Sequence, residues 1–200
     1  NTWELNTLED IYLPFKPKRR TRAEMARNRG LEPLANAILL NQNGNCAHLA
    51  NDYLNEEVNT PEAAIQGALD IIAEQVNESE SIRNLTRHHF SNHAQIESKL
   101  IKGKEIEGEK FRDYFDFSEP LKRCTSYRIL AIRRAETEKI VRVSITPIYE
   151  DELVDKIKRS YIQGRGANAD RIEIAIDDAY KRLLKPAIET EFSNLSKEKA

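Results

Sequence analysis

The sequence predicts a mainly α-helical, multihelical scaffold with at most a short β element near 141–145. Seven glycines and seven prolines in 200 residues fall well below the roughly 12% of average usage, so tight turns are few. Charged residues make up 32% and hydrophobic residues 40%, a balance that suits amphipathic helices better than a turn-rich sandwich. Apolar residues recur at i, i+3, i+4 and i+7 through most of the chain, the spacing of one helix face.

The elements follow in order. Thr7-Leu8-Glu9-Asp10 opens a short helix that Pro14 and Pro17 stop, and the intervening residues should be extended because proline disfavours the α region before it. Thr21-Arg22-Ala23-Glu24 is a capping box, and its helix ends at Gly30, a natural C′ residue. A second helix runs to about Leu40, and Asn41-Gln42-Asn43-Gly44-Asn45 is a loop. Thr60-Pro61 starts the cleanest amphipathic helix, with Ile65, Ala68, Leu69, Ile72 and Val76 on one face and Asp70 on the opposite one. Another helix is expected from about Glu78 to Phe90, while 91–110 is ambiguous and 110–117 concentrates Phe111, Tyr114, Phe115 and Phe117.

From Ser126 to about Glu136 a helix aligns Tyr127, Leu130, Ala131 and Arg134 on one stripe. Val141, Val143 and Ile145 alternate with Arg142 and Ser144 as a short strand stopped by Pro147, with no obvious partner. Leu153, Val154, Ile157 and Tyr161 mark the next helix. After Gly164-Arg165-Gly166 a long helix carries Ile172, Ala175, Ile176, Ala179 and Leu183, and Pro186 should kink or restart it. The expectation is about nine helices in one region over 1–200, with an N-terminal helical segment and its basic run at 1–45 and a helical body at 46–200.

The near-neutral total charge hides an asymmetry. Residues 1–30 carry seven bases and four acids, whereas 31–80 carry nine acids and no Lys or Arg. Such fields either dock on each other or serve different partners. Two cysteines, Cys46 and Cys124, make no disulfide framework, so a reduced, cytoplasmic compartment is expected. No apolar run nears the ~18 residues of a membrane span. The chain starts at Asn1 rather than Met and stops in charged, helix-like sequence, which reads as a piece of a longer soluble protein.

Several constellations invite chemistry. The basic run Lys16, Lys18, Arg19, Arg20 and Arg22, continued by Arg27 and Arg29, either tracks a phosphate backbone or packs on the acidic 31–80 stretch. Residues 21–40 have the proportions of a helix-turn-helix, but the second helix is apolar and offers little to base edges. His89 and His93 lie four apart, a metal-binding spacing on a helix, yet no carboxylate or Cys lies between or beside them. Arg123-Cys124 could favour a thiolate. Gly164-Arg165-Gly166 before a helix could hold a phosphate at the helix N-terminus, or serve as a plain turn. Asp113, Asp116 and Glu119 are three acids near an aromatic cluster, whereas metal-dependent hydrolysis needs acids held together on rigid elements. None of these is an enzyme signature, and no catalytic, cofactor or metal residue is expected.

The segment Thr7-Leu-Glu-Asp-Ile-Tyr-Leu-Pro-Phe-Lys-Pro-Lys-Arg-Arg-Thr-Arg22, then Ala26-Arg27 and Gly30-Leu-Glu-Pro-Leu-Ala35, resembles the N-terminal region of the bacterial Tex transcription accessory proteins. Lys102-Gly-Lys-Glu105, Glu107-Gly108, Lys110 through Pro120 and Ser126-Tyr-Arg128 are similar to that family in the same order. The resemblance covers essentially the whole chain. It implies a helical scaffold related to a eukaryotic transcription elongation factor, followed by a YqgF-type RNase H-like domain, helix-hairpin-helix motifs and an OB-fold RNA-binding domain that this chain does not reach. It implies RNA or DNA as partner, mainly through those downstream domains, and RNA polymerase as another, with no membrane and no small-molecule substrate. The alternative is an autonomous, sequence-indifferent nucleic-acid-binding module using the basic run at 16–29.

Overall fold

The computed structural model describes residues 8, 11–13 and 21–198. These fall into two compact units. One holds the described residues through Asn84 together with Asp151–Leu184, and the other holds Leu85–Glu150 with the described residues from Lys185 onward.

The first unit is helical and is organised around one helix. Helix α1 (Arg22–Asn28) is capped by Thr21, whose side chain accepts from the Glu24 amide, as the capping box requires. Gly30, at φ +77, takes the left-handed position that lets the chain turn into α2 (Glu32–Leu40). Helix α3 (Pro61–Glu78) has Thr60 as N-cap and Pro61 in its first turn. It packs against α1, α2 and α7 (Ala167–Asp178), and against the segment Ala179–Leu184 that follows α7. The single apolar stripe expected for α3 is therefore too narrow. Ala64, Ala68, Leu69, Ile71, Ile72, Ala73 and Val76 are all buried, because partners surround the helix. Asp70 accordingly does not face solvent; its side chain is only 13% exposed.

Helix α6 (Glu150–Tyr161) buries Leu153 and Ile157. Beyond α7, Ala179–Leu184 is π-helical, and α8 (Lys185–Glu198) follows. Proline at position 186 supplies no N–H to the preceding turn, and the turn just before it widens. A π turn spaces residues by about five rather than four. Leu184 therefore occupies the buried position five after Ala179, where the helical pattern had placed Leu183.

The second unit contains a three-stranded antiparallel sheet of order β2-β1-β3. Helix α4 (Glu80–His93) leads directly into β1 (Ala94–Leu100), flanked by β2 (Asp116–Pro120) and β3 (Val141–Pro147). The strand expected at 141–145 thus has a partner: β1 pairs with it from Ala94↔Pro147 to Leu100↔Val141. The stretch 91–110, ambiguous in sequence, supplies that partner. Ala94, Ile96 and Ser98 point inward while Glu97 and Lys99 point outward, the alternation a half-buried strand needs.

The inner face packs on α5 (Ser126–Thr137) and α8, with Phe90, Ile96, Ile132, Ile145, Ile188 and Phe192 in one cluster. The stripe predicted for α5 is on the wrong side. Tyr127 is 78% and Leu130 is 51% exposed, and the buried positions are Ile129, Ile132, Arg133 and Ala135. Arg133 enters the core face with two of its three guanidinium nitrogens engaged, Nη2 donating to the hydroxyls of Ser193 and Ser196 at 3.0 and 2.6 Å and Nη1 to Glu136, while Nε is buried without a hydrogen-bond partner among the described residues.

Candidate functional site

Of the basic run, Lys16, Lys18, Arg19 and Arg20 lie outside the described residues. Arg22 is exposed and lines a recess of about 390 Å³ in the first unit with Thr21, Asp70, Glu74, Asn77 and Arg182. The Thr21 hydroxyl donates to Glu74 Oε1 at 3.0 Å while its oxygen caps α1. Arg27 donates to the other Glu74 oxygen and lies 3.6 Å from Glu32. Arg29 pairs with Glu57 at 3.1 Å. Arg27 and Arg29 therefore pair with carboxylates of the acidic stretch.

At the far side of the recess Arg182 donates from Nε to Asp178 at 3.0 Å and lies 3.9 Å from Asp70. Burial pushes the Asp70 carboxyl above its ordinary range, with Arg182 and Arg22 opposing the shift. Oδ1 of Asp70 and Oδ1 of Asn77 are buried acceptors with no hydrogen-bond partner among the described residues. The recess is a mixed-charge pocket in which Arg22 and Arg182 face Asp70, Glu74 and Glu78.

The glycine pair before α7 is not a phosphate cradle. The carbonyl of Gln42 accepts from the amides of Gly166 and Ala169, and the Gly44 carbonyl accepts from Asn168. The Gln42 side-chain oxygen takes the amides of Gln163 and Gly164 at 2.7 and 2.9 Å, and Asn43 Oδ1 takes that of Arg165. Asn168 reciprocates, donating to the Asn41 carbonyl and accepting from the Cys46 amide. The donors that a helix N-terminus would offer an anion are spent on loop 41–45.

His89 Nε2 donates to the Ile148 carbonyl at 2.9 Å, and its ring lies 4.7 Å from that of His93, which meets Tyr149 edge-on. No group of three His, Cys, Asp or Glu that could hold a metal occurs among the described residues. Burial, reinforced by Glu119, pushes the Cys124 thiol up to about 11, the opposite of the activated thiolate that Arg123 suggested. Glu119 accepts both bonds of Arg128 at 2.7 and 2.9 Å. Asp113 and Asp116 are exposed, and alternation along β2 sets Asp116 and Glu119 on opposite faces. In the 21–40 pair, Leu34, Ala35 and Ile38 of α2 are buried, so its second helix packs inward instead of reading bases. No helix among the described residues is long and apolar enough to cross a membrane.

The family described as Tex central region-like matches residues 41–200. The chain belongs to the Tex family.

Protein tex of Bordetella pertussis is 46% identical over 140 residues, covering 69% of this chain and 18% of that protein. Transcriptional accessory protein Tex of Neisseria gonorrhoeae is 40% identical over 156 residues, 75% of this chain and 21% of its own length. The human S1 RNA-binding domain-containing protein 1 is 30% identical over 205 residues, 92% of this chain and 20% of its own. The chain thus spans about a fifth of these relatives.

Sequence reasoning missed the polar clasp of this Tex region. Its two halves, Asn41–Asn45 and Gly164–Gly166, were each visible as a loop. The signal that they belong together was their chemistry: amide side chains and carbonyls on one side, uncovered backbone N–H groups on the other.

Proposed function

We propose that this chain is the scaffold segment of a Tex-like transcription accessory protein that associates with nucleic acid and with RNA polymerase in the cytoplasm, without catalysis or a cofactor of its own. One observation carries the reading. Three of the constellations that suggested chemistry in the sequence are committed to holding the fold: the α7 N-terminus to loop 41–45, His89 to Ile148, and Glu119 to Arg128. The human relative's name contains an S1 RNA-binding domain, which makes RNA the nucleic acid to test first. The family assignment makes a transcribing complex the context.

The test mixes the chain with an elongation complex assembled on labelled RNA and DNA in the presence of Mg²⁺, read on native and denaturing gels. Retarded migration with intact nucleic acid is expected. Unaltered migration refutes the association. Cleavage that persists through purification and disappears in Asp113→Ala or Asp116→Ala refutes the scaffold reading.

The second reading, an autonomous binding module, rests on Lys16, Lys18, Arg19, Arg20 and Arg22. Arg22 favours it, being exposed at the rim of its recess. Arg27 and Arg29 oppose it, since Glu74 and Glu57 already hold them.

A further inference from the structure

In the second unit the end of the sheet opens into a recess of about 680 Å³, lined by Lys99, Lys102, Arg142 and Ser144 together with Leu100, Ile101 and Val143. Lys99 stands directly opposite Arg142 in the β1–β3 ladder. Directly opposed side chains on one face have Cβ atoms about 5 Å apart, and like charges so placed are destabilising. Lys102 joins them from the turn that follows β1, closed by the Lys104 amide on the Ile101 carbonyl at 3.0 Å and held beside β3 by the Ile101 amide on the Ile140 carbonyl at 2.8 Å. None of the three cations makes an ion pair among the described residues. Asp116, the register neighbour of Lys99 on its other side, does not line the recess, nor does Glu97. Nearby bases behave differently: Lys104, Lys110 and Arg112 each have a carboxylate at 2.5–3.3 Å.

We propose that Lys99, Lys102 and Arg142 contact the phosphate backbone of a nucleic-acid strand, a proposal that deepens the nucleic-acid association above and rests on it. None of the three cations is held in an ion pair among the described residues, and an anion placed between them relieves the Lys99–Arg142 repulsion, which Asp116, opposite Lys99 on β2, offsets from that side alone. Arg, Lys and a hydroxyl are the side chains that position phosphate oxygens, and the guanidinium fork matches them in pairs. The recess presents no aromatic ring on which a base would stack, so the contact is to the backbone and indifferent to sequence.

The test is fluorescence anisotropy of the 200-residue chain with a labelled single-stranded RNA, and with the matching DNA, across a salt series. Three contacts at about 0.7 each give a log–log slope near 2, so a fourfold rise in salt weakens binding about 20-fold. Lys99→Gln/Lys102→Gln/Arg142→Gln should remove that slope and lower affinity at low salt by about tenfold or more. A five-site Gln variant of Lys16, Lys18, Arg19, Arg20 and Arg22 should leave it in place. If the triple variant loses its helical circular dichroism, Lys102→Gln alone serves, with the slope falling by about 0.7. The proposal is overturned by wild-type binding in the triple variant, by absence of binding in the wild type, or by poly-glutamate competing as well as unlabelled RNA. In each of those cases retardation of the elongation complex by the same variant keeps the proposed function standing without this contact.

Discussion

Gly166→Ala probes the clasp at the start of α7. At φ −92 and ψ 179 any residue is allowed, so the substitution carries no backbone strain of its own. A Cβ there would lie 2.3–2.7 Å from the carbonyl oxygen, carbonyl carbon and Cα of Asn43. These are backbone atoms, and they can withdraw only if loop 41–45 lifts away. Lifting it breaks three backbone bonds, from Gly166 and Ala169 to Gln42 and from Asn168 to Gly44. At about 1 kcal/mol net per bond the loss is roughly 3 kcal/mol. Restricting the unfolded chain returns about 0.4–1 kcal/mol, leaving a destabilisation of about 2 kcal/mol. Gly30→Ala is the control, because a Cβ there meets nothing within 4 Å and the cost is only that of a left-handed alanine, about 1–2 kcal/mol, with the amides of residues 166, 168 and 169 left protected. Urea melts followed by circular dichroism give the two values, and hydrogen exchange at residues 166, 168 and 169 shows whether those amides lose protection. A Gly166→Ala melt within about 0.5 kcal/mol of wild type, with protection intact, would refute the clasp.

Leu69→Ala should cost about 2–5 kcal/mol in a urea melt, since the side chain is 6% exposed and its removal leaves a cavity; a cost below 1 kcal/mol would show that α3 is not enclosed. For Asp70 the folded carboxyl lies above its unfolded value of 3.8 because of burial, so the folded state binds more protons and stability falls as pH rises from about 4 through the folded pKa. Asp70→Asn should therefore raise the urea midpoint at pH 7 and lose that advantage below about pH 4; a lowered midpoint at pH 7 would mean that Arg182 and Arg22 outweigh burial. With its thiol near 11 against an ordinary 9.0, Cys124 should have about 100-fold less thiolate at pH 8, offset about tenfold by greater nucleophilicity. Alkylation read by peptide mass spectrometry should thus run about tenfold slower than for a free thiol, and an equal or faster rate would overturn the upward shift of the Cys124 thiol.

The sequence made the local starts and stops of this fold legible and left its crowding hidden. Thr21 and Thr60 cap helices as their motifs require, because a cap is decided within four residues. β1 was obscured by its composition: Ala94 and Ser98 are poor strand formers and Glu97 and Lys99 suit a helix, so only the alternation marked it. What periodicity could not supply was the number of neighbours. A single stripe at i, i+3 and i+4 describes a helix with one buried side, and α3 has more. On α5 two stripes were available, and the one through Tyr127 and Leu130 looked apolar while the one through Arg133 did not. The buried choice depended on Ser193 and Ser196, sixty residues away, whose hydroxyls accept from the guanidinium's Nη2. The same holds for function. A charge run is visible in sequence, but whether a base is spent or free is decided by what stands across from it. Arg27 meets Glu74, whereas Lys99 meets Arg142. If the proposed contact holds, a base that faces another base at the mouth of a recess is where this scaffold would hold positive charge for a partner.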